Sequence, residues 1–374
     1  MKKLIFKNLS KDIAGFFLIT TLSMTIIVWI IQAVNLLDFI SEDGHSFKIY
    51  FMYTFLSLPK IFSRILPFMF FVSLFYTLIK YEEKNELNIF WLNGIHKFEF
   101  LKNILAFSLF FLLVQILLTT YIVPKTQDMA RSYIRSSTMD FFPNLIKEKK
   151  FIDAISNLTL YVGKRNKNGE LSNIFLKEQL KDNKQESQII YAKKGYLAKK
   201  NGNHWLVMMD GKIINTKEKQ STVFSFEETQ FNLSNYSSKS TSFPKIKELT
   251  TINLLKCAKA LFLKEYYLSE NRFLTCENNN IPAVTEILRR LYLPLYLPVL
   301  ALIVCFLILS SKDKINYKKY KLRVFLISTL VLVVSELSLS YTGISFEKNL
   351  IFISIPIILF ILSIVVFKKR LNYS

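Results

Sequence analysis

The chain has 374 residues, of which 51% are hydrophobic and 15% are aromatic. Its mean hydropathy of +0.28 is higher than that of soluble domains, which indicates a membrane protein. The formal net charge is +21, a value that in a soluble chain would suggest nucleic-acid binding. Here the basic residues lie at the ends of apolar runs, the pattern that orients membrane proteins, so the composition argues against a nucleic-acid partner.

Six apolar runs are long enough to cross the hydrocarbon core of a bilayer, which takes about 20 helical residues. Within the first run, residues 16–37 carry no charge and form a stretch longer than the apolar core of a signal peptide. No small-residue cleavage site follows, so we expect a retained helix. Three runs precede a long polar middle segment and three follow it. The predicted spans are residues 13–38, 52–80, 100–123, 288–310, 322–341 and 349–367.

Lysines and arginines between these runs predict the orientation of the chain, because positively charged connections stay in the cytoplasm. The two short connections expected on the opposite side, residues 38–48 and 342–348, are poor in positive charge. Both termini should therefore be cytoplasmic in a bacterial inner membrane, and the middle segment should be periplasmic. The basic clusters are Lys2, Lys3, Lys7 and Lys11 at the start; Lys80, Lys84, Lys97 and Lys102; Lys312, Lys314, Lys318, Lys319, Lys321 and Arg323; and Lys368, Lys369 and Arg370 at the end.

The middle segment, residues 125–285, changes to the two-residue period of β-strands, for example in residues 158–162. Asn168-Gly169, Asn201-Gly202 and Asp210-Gly211 are strong hairpin signals. Short strands at this spacing predict a β-sandwich, a jelly roll or an open barrel. Residues 246–273 have a helical pattern, and Pro282 is expected in the first turn of the fourth span. The predicted domains are therefore residues 1–124, 125–285 and 286–374.

Motifs for catalysis or for holding a cofactor are not evident. The sequence has no phosphate-binding G-x-x-x-x-G-K-[ST] loop, no zinc-ligand spacing around His45, His96 or His204, and no G-x-S-x-G motif. We therefore expect a transport or binding subunit rather than an enzyme, without metal or cofactor. Cys257 and Cys276 both fall in the outer segment, where a disulfide is chemically permitted, although their spacing does not establish a pair.

A charged and then apolar stretch, residues 80–97, follows the second span. Glu82 and Glu86 are four residues apart, which on one helix places them on the same face, and Gly94 is a natural helix terminator. One interpretation is a solvated helical loop. The other is a helix that docks into the groove of a cytoplasmic partner, where Glu82, Glu83 and Glu86 meet basic residues.

Charged pairs also occur within two of the predicted spans. Glu286 and Arg290 are spaced for an ion pair at the start of the fourth span, and Pro294 one turn later is suited to a kink. Lys60 and Arg64 are likewise four residues apart in the second span. Charges at membrane depth are usually functional, although near a helix end they also reach for lipid headgroups.

The order and spacing of these features resemble the LptF/LptG permease family, the transmembrane subunits of the lipopolysaccharide transport ABC exporter. The resemblance covers nearly the whole chain. Met129-Ala130-Arg131 and residues 151–162 are closer to LptF than to LptG. The matching features are the basic N-terminal helix, Ile65-Leu66-Pro67, the Glu82, Glu86 and Gly94 segment, Pro124 at the end of the third span, Leu160-Tyr161-Val162, Asn168-Gly169, and Glu286, Arg290 and Pro294.

The resemblance implies a fold and a set of partners. The fold would be six transmembrane helices with a periplasmic β-jelly-roll domain inserted between helices 3 and 4. In this family two different permeases pair, and each presents a coupling helix to a dimer of the ATPase subunit LptB; the carboxylate in that contact carries over onto Glu86. Lipopolysaccharide enters the cavity between the two bundles and moves onto jelly rolls that form a bridge with LptC and LptA.

One feature departs from the family pattern. Members often carry a basic residue near the outer end of the first span to meet lipid A phosphates, whereas residues 32–38 here have none. Lys60 and Arg64 lie at a similar depth and are therefore candidate substrate-cavity residues, together with Glu286 and Arg290. The alternative is that Lys60 and Arg64 only contact ordinary phospholipid headgroups.

Two other functions remain open. A permease of another lipid or lipoprotein exporter is one, although such proteins usually have four spans with the outer domain after the first. A membrane-anchored periplasmic scaffold or sensor is the other, although it would need only one or two anchors.

Overall fold

The computed structural model describes residues 2–37, 46–137, 146, 148–155, 157–166, 169–179, 186–200, 203–217, 220–233, 246–263, 280–343 and 346–372. The chain divides into two compact units. The helical unit comprises Met1–Ile31, Ser57–Asp128 and Pro244–Ser374, and the sheet unit comprises Gln32–Leu56 and Met129–Phe243.

Helices account for most of the described residues outside the sheet. Six helical stretches are long and apolar enough to cross a membrane, which agrees with the six predicted runs. The first begins at Lys2 instead of near residue 13, because the charged residues before the apolar run continue the same helix. The α-helices are α1 (Lys2–Asn35), α2 (Phe47–Leu56), α3 (Leu58–Glu83), α4 (Glu86–Leu92), α5 (Lys97–Leu117), α6 (Val123–Ser137), α7 (Thr251–Leu263), α8 (Asn280–Leu291), α9 (Tyr296–Cys305), α10 (Tyr317–Leu339) and α11 (Phe346–Asn372).

The third stretch does not end at Pro124, which corrects the expectation from the sequence. A π-helical turn, Leu118–Ile122, leads from α5 directly into α6, which continues to Ser137. Proline has no N–H, so the carbonyl of Thr120, four residues earlier, loses its usual helical partner. That carbonyl instead accepts a hydrogen bond from the hydroxyl of Thr251 at 2.6 Å. Because a distant side chain satisfies the carbonyl, the helix tolerates the proline.

The fourth stretch is interrupted at Pro294, as the sequence predicted. A short 3-10 turn, Leu293–Leu295, separates α8 from α9. The carbonyl of Arg290, four residues before Pro294, lies 2.9 Å from the hydroxyl of Thr119, its donor. Every residue of α9 is buried, so this helix is the centre of the helical unit. Residues Phe70, Phe71, Phe90 and Phe100 belong to the same core.

The sheet is a six-stranded antiparallel meander in which each strand pairs with its neighbours in the sequence, in the order β1 to β6. The predicted antiparallel β-domain in the middle of the chain is therefore confirmed, while a jelly roll remains a prediction. The strands are β1 (Phe151–Ile155), β2 (Leu158–Arg165), β3 (Glu170–Gln179), β4 (Glu186–Lys200), β5 (Asn203–Lys217) and β6 (Gln220–Asn232).

The three hairpin signals have different outcomes. Gly169 lies in the turn between β2 and β3, with φ at 83°, which confirms the first hairpin. Residues 201–202 lie outside the described residues, although Lys200 and Asn203 on either side pair directly. The third prediction is wrong, because Asp210 and Gly211 lie in the middle of β5. A side chain at Gly211 would meet the Tyr191 carbonyl oxygen at 2.2 Å, so this glycine serves close strand packing instead of a turn.

Side chains of β2 alternate between the two faces of the sheet. Leu158, Leu160 and Val162 are buried in the core of the sheet unit, whereas Thr159 and Tyr161 are half-buried on the opposite face. On that opposite face four aromatic rings from neighbouring strands form a row across the sheet. The ring centroids of Phe151 and Tyr161 are 4.8 Å apart, those of Phe151 and Phe175 are 6.1 Å apart, and those of Phe175 and Tyr191 are 5.1 Å apart.

The helical pattern of residues 246–273 corresponds to a 3-10 turn, Ile246–Glu248, followed by α7; residues 264–279 lie outside the described residues. Pro282 is in the first turn of α8, as expected. Cys257 is disulfide-bonded and Cys305 is a buried free thiol. Cys276 lies outside the described residues.

Candidate functional site

The stretch after the second candidate span folds as a separate short helix with a well-defined end. At the C-terminal end of α4, the N–H of Ile95 donates to the carbonyl of Phe90 at 3.0 Å, and the N–H of Gly94 donates to the carbonyl of Trp91 at 3.1 Å. Gly94 has φ of 67°, so these bonds form a Schellman motif with glycine in the left-handed position. The predicted helix end at Gly94 is confirmed.

Glu82 and Glu86 do not share one helix, which corrects the sequence interpretation. Asn85 between them has φ of 61°, a left-handed conformation that ends α3 and starts α4 in a new direction. Asparagine adopts this conformation more readily than most residues, because its short amide bonds locally to the backbone. The two carboxylates therefore belong to different helices.

Glu82 and Glu83 are bound within the chain. The carboxylate of Glu82 accepts a hydrogen bond from the backbone N–H of Lys312 at 2.8 Å. Glu83 forms an ion pair with Lys321 at 2.9 Å, and its carbonyl accepts a bond from the Lys312 ammonium at 3.2 Å. Both acids thus hold the connection between the fourth and fifth candidate spans, which includes the start of α10, against the end of α3.

Glu86 is different, because no hydrogen bond or ion pair reaches its carboxylate from any residue that the structure describes. It lies on the first turn of α4, where the helix dipole favours a negative charge. Apolar side chains of the same helix are exposed beside it: Ile89 at 49% and Leu92 at 87%. Leu87 and Phe90 are buried and anchor the helix from its other face. The exposed face therefore combines one carboxylate with apolar surface.

A second site is a cavity of about 410 Å³ in the helical unit. It is lined by all four residues that the sequence analysis gave as candidates for a substrate cavity: Lys60, Arg64, Glu286 and Arg290. The cavity is formed by the first turns of α3, the junction of α5 and α6, the start of the segment after the sheet, α8, and the last turns of α10. The charged side chains that line it are Lys60, Arg64, Lys247, Arg289, Arg290, Glu248, Glu286 and Glu336. Positive charges exceed negative ones by two.

A proline shapes the wall that α3 contributes. Pro67 lies inside α3 and removes the helical partner of the Ser63 carbonyl. Gln115 of α5 replaces that partner, because its Nε2 donates to the Ser63 oxygen at 2.8 Å. The other amide atom of Gln115, its buried Oε1, has no hydrogen-bond partner within the described ranges, and the residue lines the cavity. Buried polar atoms of this kind usually contact water or a ligand.

Lys60 and Arg64 lie one turn apart on α3 and differ in whether another residue of the chain hydrogen-bonds their side chains. The ammonium of Lys60 lies 3.2 Å from the side-chain oxygen of Gln127. Arg64 is exposed, and no hydrogen bond or ion pair to its guanidinium is found among the described residues. The two side chains lie on one face of α3, as their spacing predicted, and both line the cavity.

Glu286 and Arg290 form the predicted ion pair, with Oε1 and Nε 3.1 Å apart. Arg290 is only 2% exposed, so its side chain is buried within the protein. Its guanidinium also donates to the carbonyls of Leu249 at 2.9 Å and Lys247 at 3.0 Å. Every one of these acceptors belongs to the helical unit, so Arg290 fastens the segment after the sheet to the start of the fourth span.

Some cavity residues were not singled out from the sequence. Glu336 lies near the end of α10, is exposed, and has no hydrogen bond or ion pair in the part of the chain that the structure describes. An acid in an apolar span is itself a signal that could have identified it. Lys247 and Glu248 had no such signal, because they lie in the segment between the sheet and α7. Within the described ranges, no group of three or more His, Cys, Asp or Glu residues could hold a metal ion.

Comparison with known proteins identifies the family. Residues 8–370 match the model of the family described as lipopolysaccharide export system permease LptF/LptG. A protein of Rickettsia prowazekii (strain Madrid E), described as uncharacterized, is 24% identical over 159 residues, which are 42% of this chain and 44% of that relative. This chain therefore spans less than half the length of that relative in the match. Because the family model covers nearly all of the sequence, the chain belongs to the LptF/LptG permease family.

Proposed function

We propose that this chain is a permease subunit of an ABC exporter that extracts lipopolysaccharide from the inner membrane and passes it through its sheet domain towards the outer membrane. Family membership supports the proposal. The observation that carries it is the cavity, where Arg64 and Lys247 present charge without a partner among the described residues. Such a cavity suits an amphiphile with phosphate groups. The LptF assignment rests on residues 129–131 and 151–162.

The proposed orientation places both termini and α4 in the cytoplasm and the sheet in the periplasm. The distribution of lysine and arginine supports this arrangement. α3 begins at Leu58, beside the cavity that Lys60 lines, and ends at Glu83 before α4. The cavity would then lie towards the outer leaflet, and α4 would face the cytoplasm. The two functions of the permease, substrate binding and coupling to ATP, would be at opposite ends of one helix.

α4 is the proposed docking element for an LptB-like ATPase dimer. Glu86 would meet a basic residue of the ATPase, and Ile89 and Leu92 would pack into its groove, because a helix docks through an apolar face. Glu82 and Glu83 would act indirectly, by holding the connection before α10. Gly94 ends the helix and so sets its length.

In the cavity, Lys60 and Arg64 are proposed to bind substrate phosphates, because charge-assisted hydrogen bonds to phosphate are roughly twice as strong as neutral ones. The unsatisfied oxygen of Gln115 would accept a bond from a sugar hydroxyl or water. Glu286 and Arg290 would shape the wall, since the guanidinium already has protein acceptors. The cavity here is half of the proposed site, and a second permease, LptG-like if this chain is LptF, would supply the other half.

The sheet is proposed as the periplasmic jelly roll that receives the lipid and bridges to LptC- and LptA-like proteins. The core face with Leu160 and Val162 would accept acyl chains. Among the described strands, β6 is the last of the sheet and pairs with β5, and the outer edge of its residues 220–230 is the proposed place for strand addition. Each such junction would extend the apolar face into the next protein.

Site-specific crosslinking tests the proposal at the cavity. A photo-crosslinking residue at Val123, which lines the cavity, should trap lipopolysaccharide in cells, and the yield should depend on ATP hydrolysis by the co-purified ATPase. The matched control is Leu113 of the same continuous helix, which is exposed and does not line the cavity. Equal lipopolysaccharide yields at both positions, or purification without a stoichiometric ATPase, would contradict the proposed function.

The sheet offers a second test. Crosslinkers at Leu160 and Val162 should trap lipid, whereas those at Thr159 and Tyr161 should not, because alternate residues of a strand face opposite sides. Uniform labelling along β2 would argue against a lipid-lined face.

A further inference from the structure

A groove of about 360 Å³ lies in the helical unit, separate from the charged cavity. α10 and α11 both pack against α9 and leave the groove between them. Phe306 and Ile303 form its floor. A volume of this size is within the range of ligand sites. None of the residues that line the groove takes part in the proposed transport function.

α10 contributes one continuous face to the groove. Tyr320, Arg323, Val324, Ile327 and Val331 line it, and their spacing of three or four residues places them in one stripe. From Tyr320 to Val331 the helix rises about 16 Å, since each residue adds about 1.5 Å. This length is close to half of the hydrocarbon core, which is about 30 Å thick. The groove therefore has the length of one leaflet.

α11 contributes a face with the same pattern in the opposite direction. Leu359, Leu362, Ser363, Val366 and Arg370 line the groove at the same spacing. Because the two helices run in opposite directions, Arg370 lies at the same end as Arg323, and Leu359 lies at the other end. Arginine thus marks one end of the groove, while its length is apolar.

The apolar part of the groove is open on one side. Ile327 is 53% exposed and Leu362 is 57% exposed, although both line the groove. In a membrane these side chains face lipid. An acyl chain could enter between them from the bilayer without any change in the protein.

The arginine end retains binding capacity. Other basic groups nearby are engaged: Lys321 pairs with Glu83 at 2.9 Å, and the ammonium of Lys368 lies 5.4 Å from the ring centre of Phe98. Arg323 is exposed, and its side chain has no hydrogen bond or ion pair to any described residue. Arg370 lies over the Phe306 ring at 5.9 Å and hydrogen-bonds the side chain of Tyr320, and these contacts hold its exposed guanidinium at the mouth of the groove.

We propose that this groove binds one resident anionic phospholipid, with an acyl chain along the groove and the phosphate between Arg323 and Arg370. Basic pockets between transmembrane helices bind anionic headgroups by this combination of charge and apolar depth. In the proposed orientation the lipid belongs to the cytoplasmic leaflet. It is a bound component of the permease and not its cargo, and this inference does not depend on the identity of the transported lipid.

The experiment uses the full-length protein, alone and co-purified with its partner subunits, in phosphatidylcholine vesicles. The vesicles contain a small fraction of photoactivatable phosphatidylglycerol or, separately, photoactivatable phosphatidylcholine. Mass spectrometry of the peptides that contain Ile327 and Leu362 gives the ratio of the two crosslinking yields. The wild-type groove should prefer phosphatidylglycerol. Replacing both arginines, R323Q with R370Q, should lower this ratio by roughly tenfold, because two cationic contacts with an anionic headgroup are lost.

The matched control, K319Q with K369Q, removes the same charge from the same helix ends, at exposed lysines that do not line the groove. Its ratio should stay within about twofold of wild type, since exposed charges contribute little. A third variant, I327W, fills the apolar part and should lower crosslinking of both lipids while the protein remains folded.

Three results would overturn the proposal: an unchanged ratio in R323Q with R370Q, an equal fall in the lysine control, or crosslinks from the groove to a partner's helix in place of lipid. The last would mean that a protein segment covers the groove.

Discussion

The two ends of α3 handle charge in opposite ways. At its C-terminal end Glu82 and Glu83 bond to Lys312 and Lys321 of the same chain. At its N-terminal end, roughly 28 Å away by helix rise, Arg64 faces a cavity without a partner among the described residues. The first arrangement holds two segments of the protein together. The second leaves charge available to bind something else.

The cavity itself contains both kinds of charge. Arg290 is buried and bonded to Glu286 and to the carbonyls of Lys247 and Leu249, so it contributes to structure. Arg64 is exposed, so it is available for binding. Position near a cavity is therefore not enough to identify a binding residue. What distinguishes the two arginines is whether the chain already satisfies the side chain.

The largest expected effect is on stability, from Arg290→Met. The change leaves the Glu286 carboxylate without its buried partner, and we expect a loss of roughly 3–5 kcal/mol in the free energy of unfolding. Denaturant unfolding of the purified protein in detergent micelles would measure it. Arg289→Met is the control, because that side chain is more exposed and should cost about 1 kcal/mol or less. Equal stabilities for the two variants would remove the structural role of Arg290.

The next effect is on substrate binding, from Lys60→Gln combined with Arg64→Gln. Removing two charges that face the cavity should lower lipopolysaccharide crosslinking and affinity by roughly tenfold to a hundredfold, since bonds to charged groups are the strong ones. Assembly with the ATPase should remain intact. Lys125→Gln on α6, which does not line the cavity, is the control. If affinity and substrate-stimulated ATP hydrolysis survive, the pair contacts only ordinary headgroups.

The third effect is on ATPase coupling, from Glu86→Ala on α4. The change should lower the yield of co-purified ATPase by about tenfold or uncouple ATP hydrolysis from export, because a buried cation of the ATPase would lose its carboxylate partner. Glu83→Ala should retain the ATPase and cost the permease at most about 1 kcal/mol, as expected for an exposed ion pair. An ATPase yield that falls equally in both variants would mean that Glu86 acts through the fold, as Glu83 does.

The smallest expected effect is from Thr119→Val, which removes the hydroxyl that bonds the Arg290 carbonyl beside Pro294. The cost should be about 1 kcal/mol, in the range of single hydrogen bonds between transmembrane helices. Thr120→Val is a matched control, since among the described residues the Thr120 hydroxyl bonds only its own helix, at Ile116. An equal loss in the control would show that the bond to Arg290 contributes nothing beyond local helix packing.

Local features of the sequence predicted much of this architecture. Hydropathy identified the six apolar helices, and four-residue spacing identified the Glu286–Arg290 pair. Gly94 marked a helix end correctly because the left-handed conformation there is a backbone property of glycine. Each of these predictions depends on residues within one or two helical turns of one another.

One wrong prediction failed locally, because Asn85 puts Glu82 and Glu86 on different helices. The others depend on residues far away in the sequence. Pro124 does not end its helix because Thr251 satisfies the carbonyl that it frees. Asp210-Gly211 is not a turn because Phe226 and Tyr191 on neighbouring strands pack over the glycine. The cavity was only partly predicted for the same reason, since Lys247 and Glu248 reach it from a segment without a local signal.

The bond between Thr251 and Thr120 also sets an order of events during biosynthesis. Thr251 follows Thr120 by 131 residues, a length that includes the whole sheet. At ribosomal rates of about 5–20 residues per second, the acceptor waits roughly 7–26 s for its donor. The sheet has already left the ribosome by then, and Arg290 is made later still. The contacts of Thr251 and Arg290 beside the charged cavity therefore form only after the whole sheet has been synthesised.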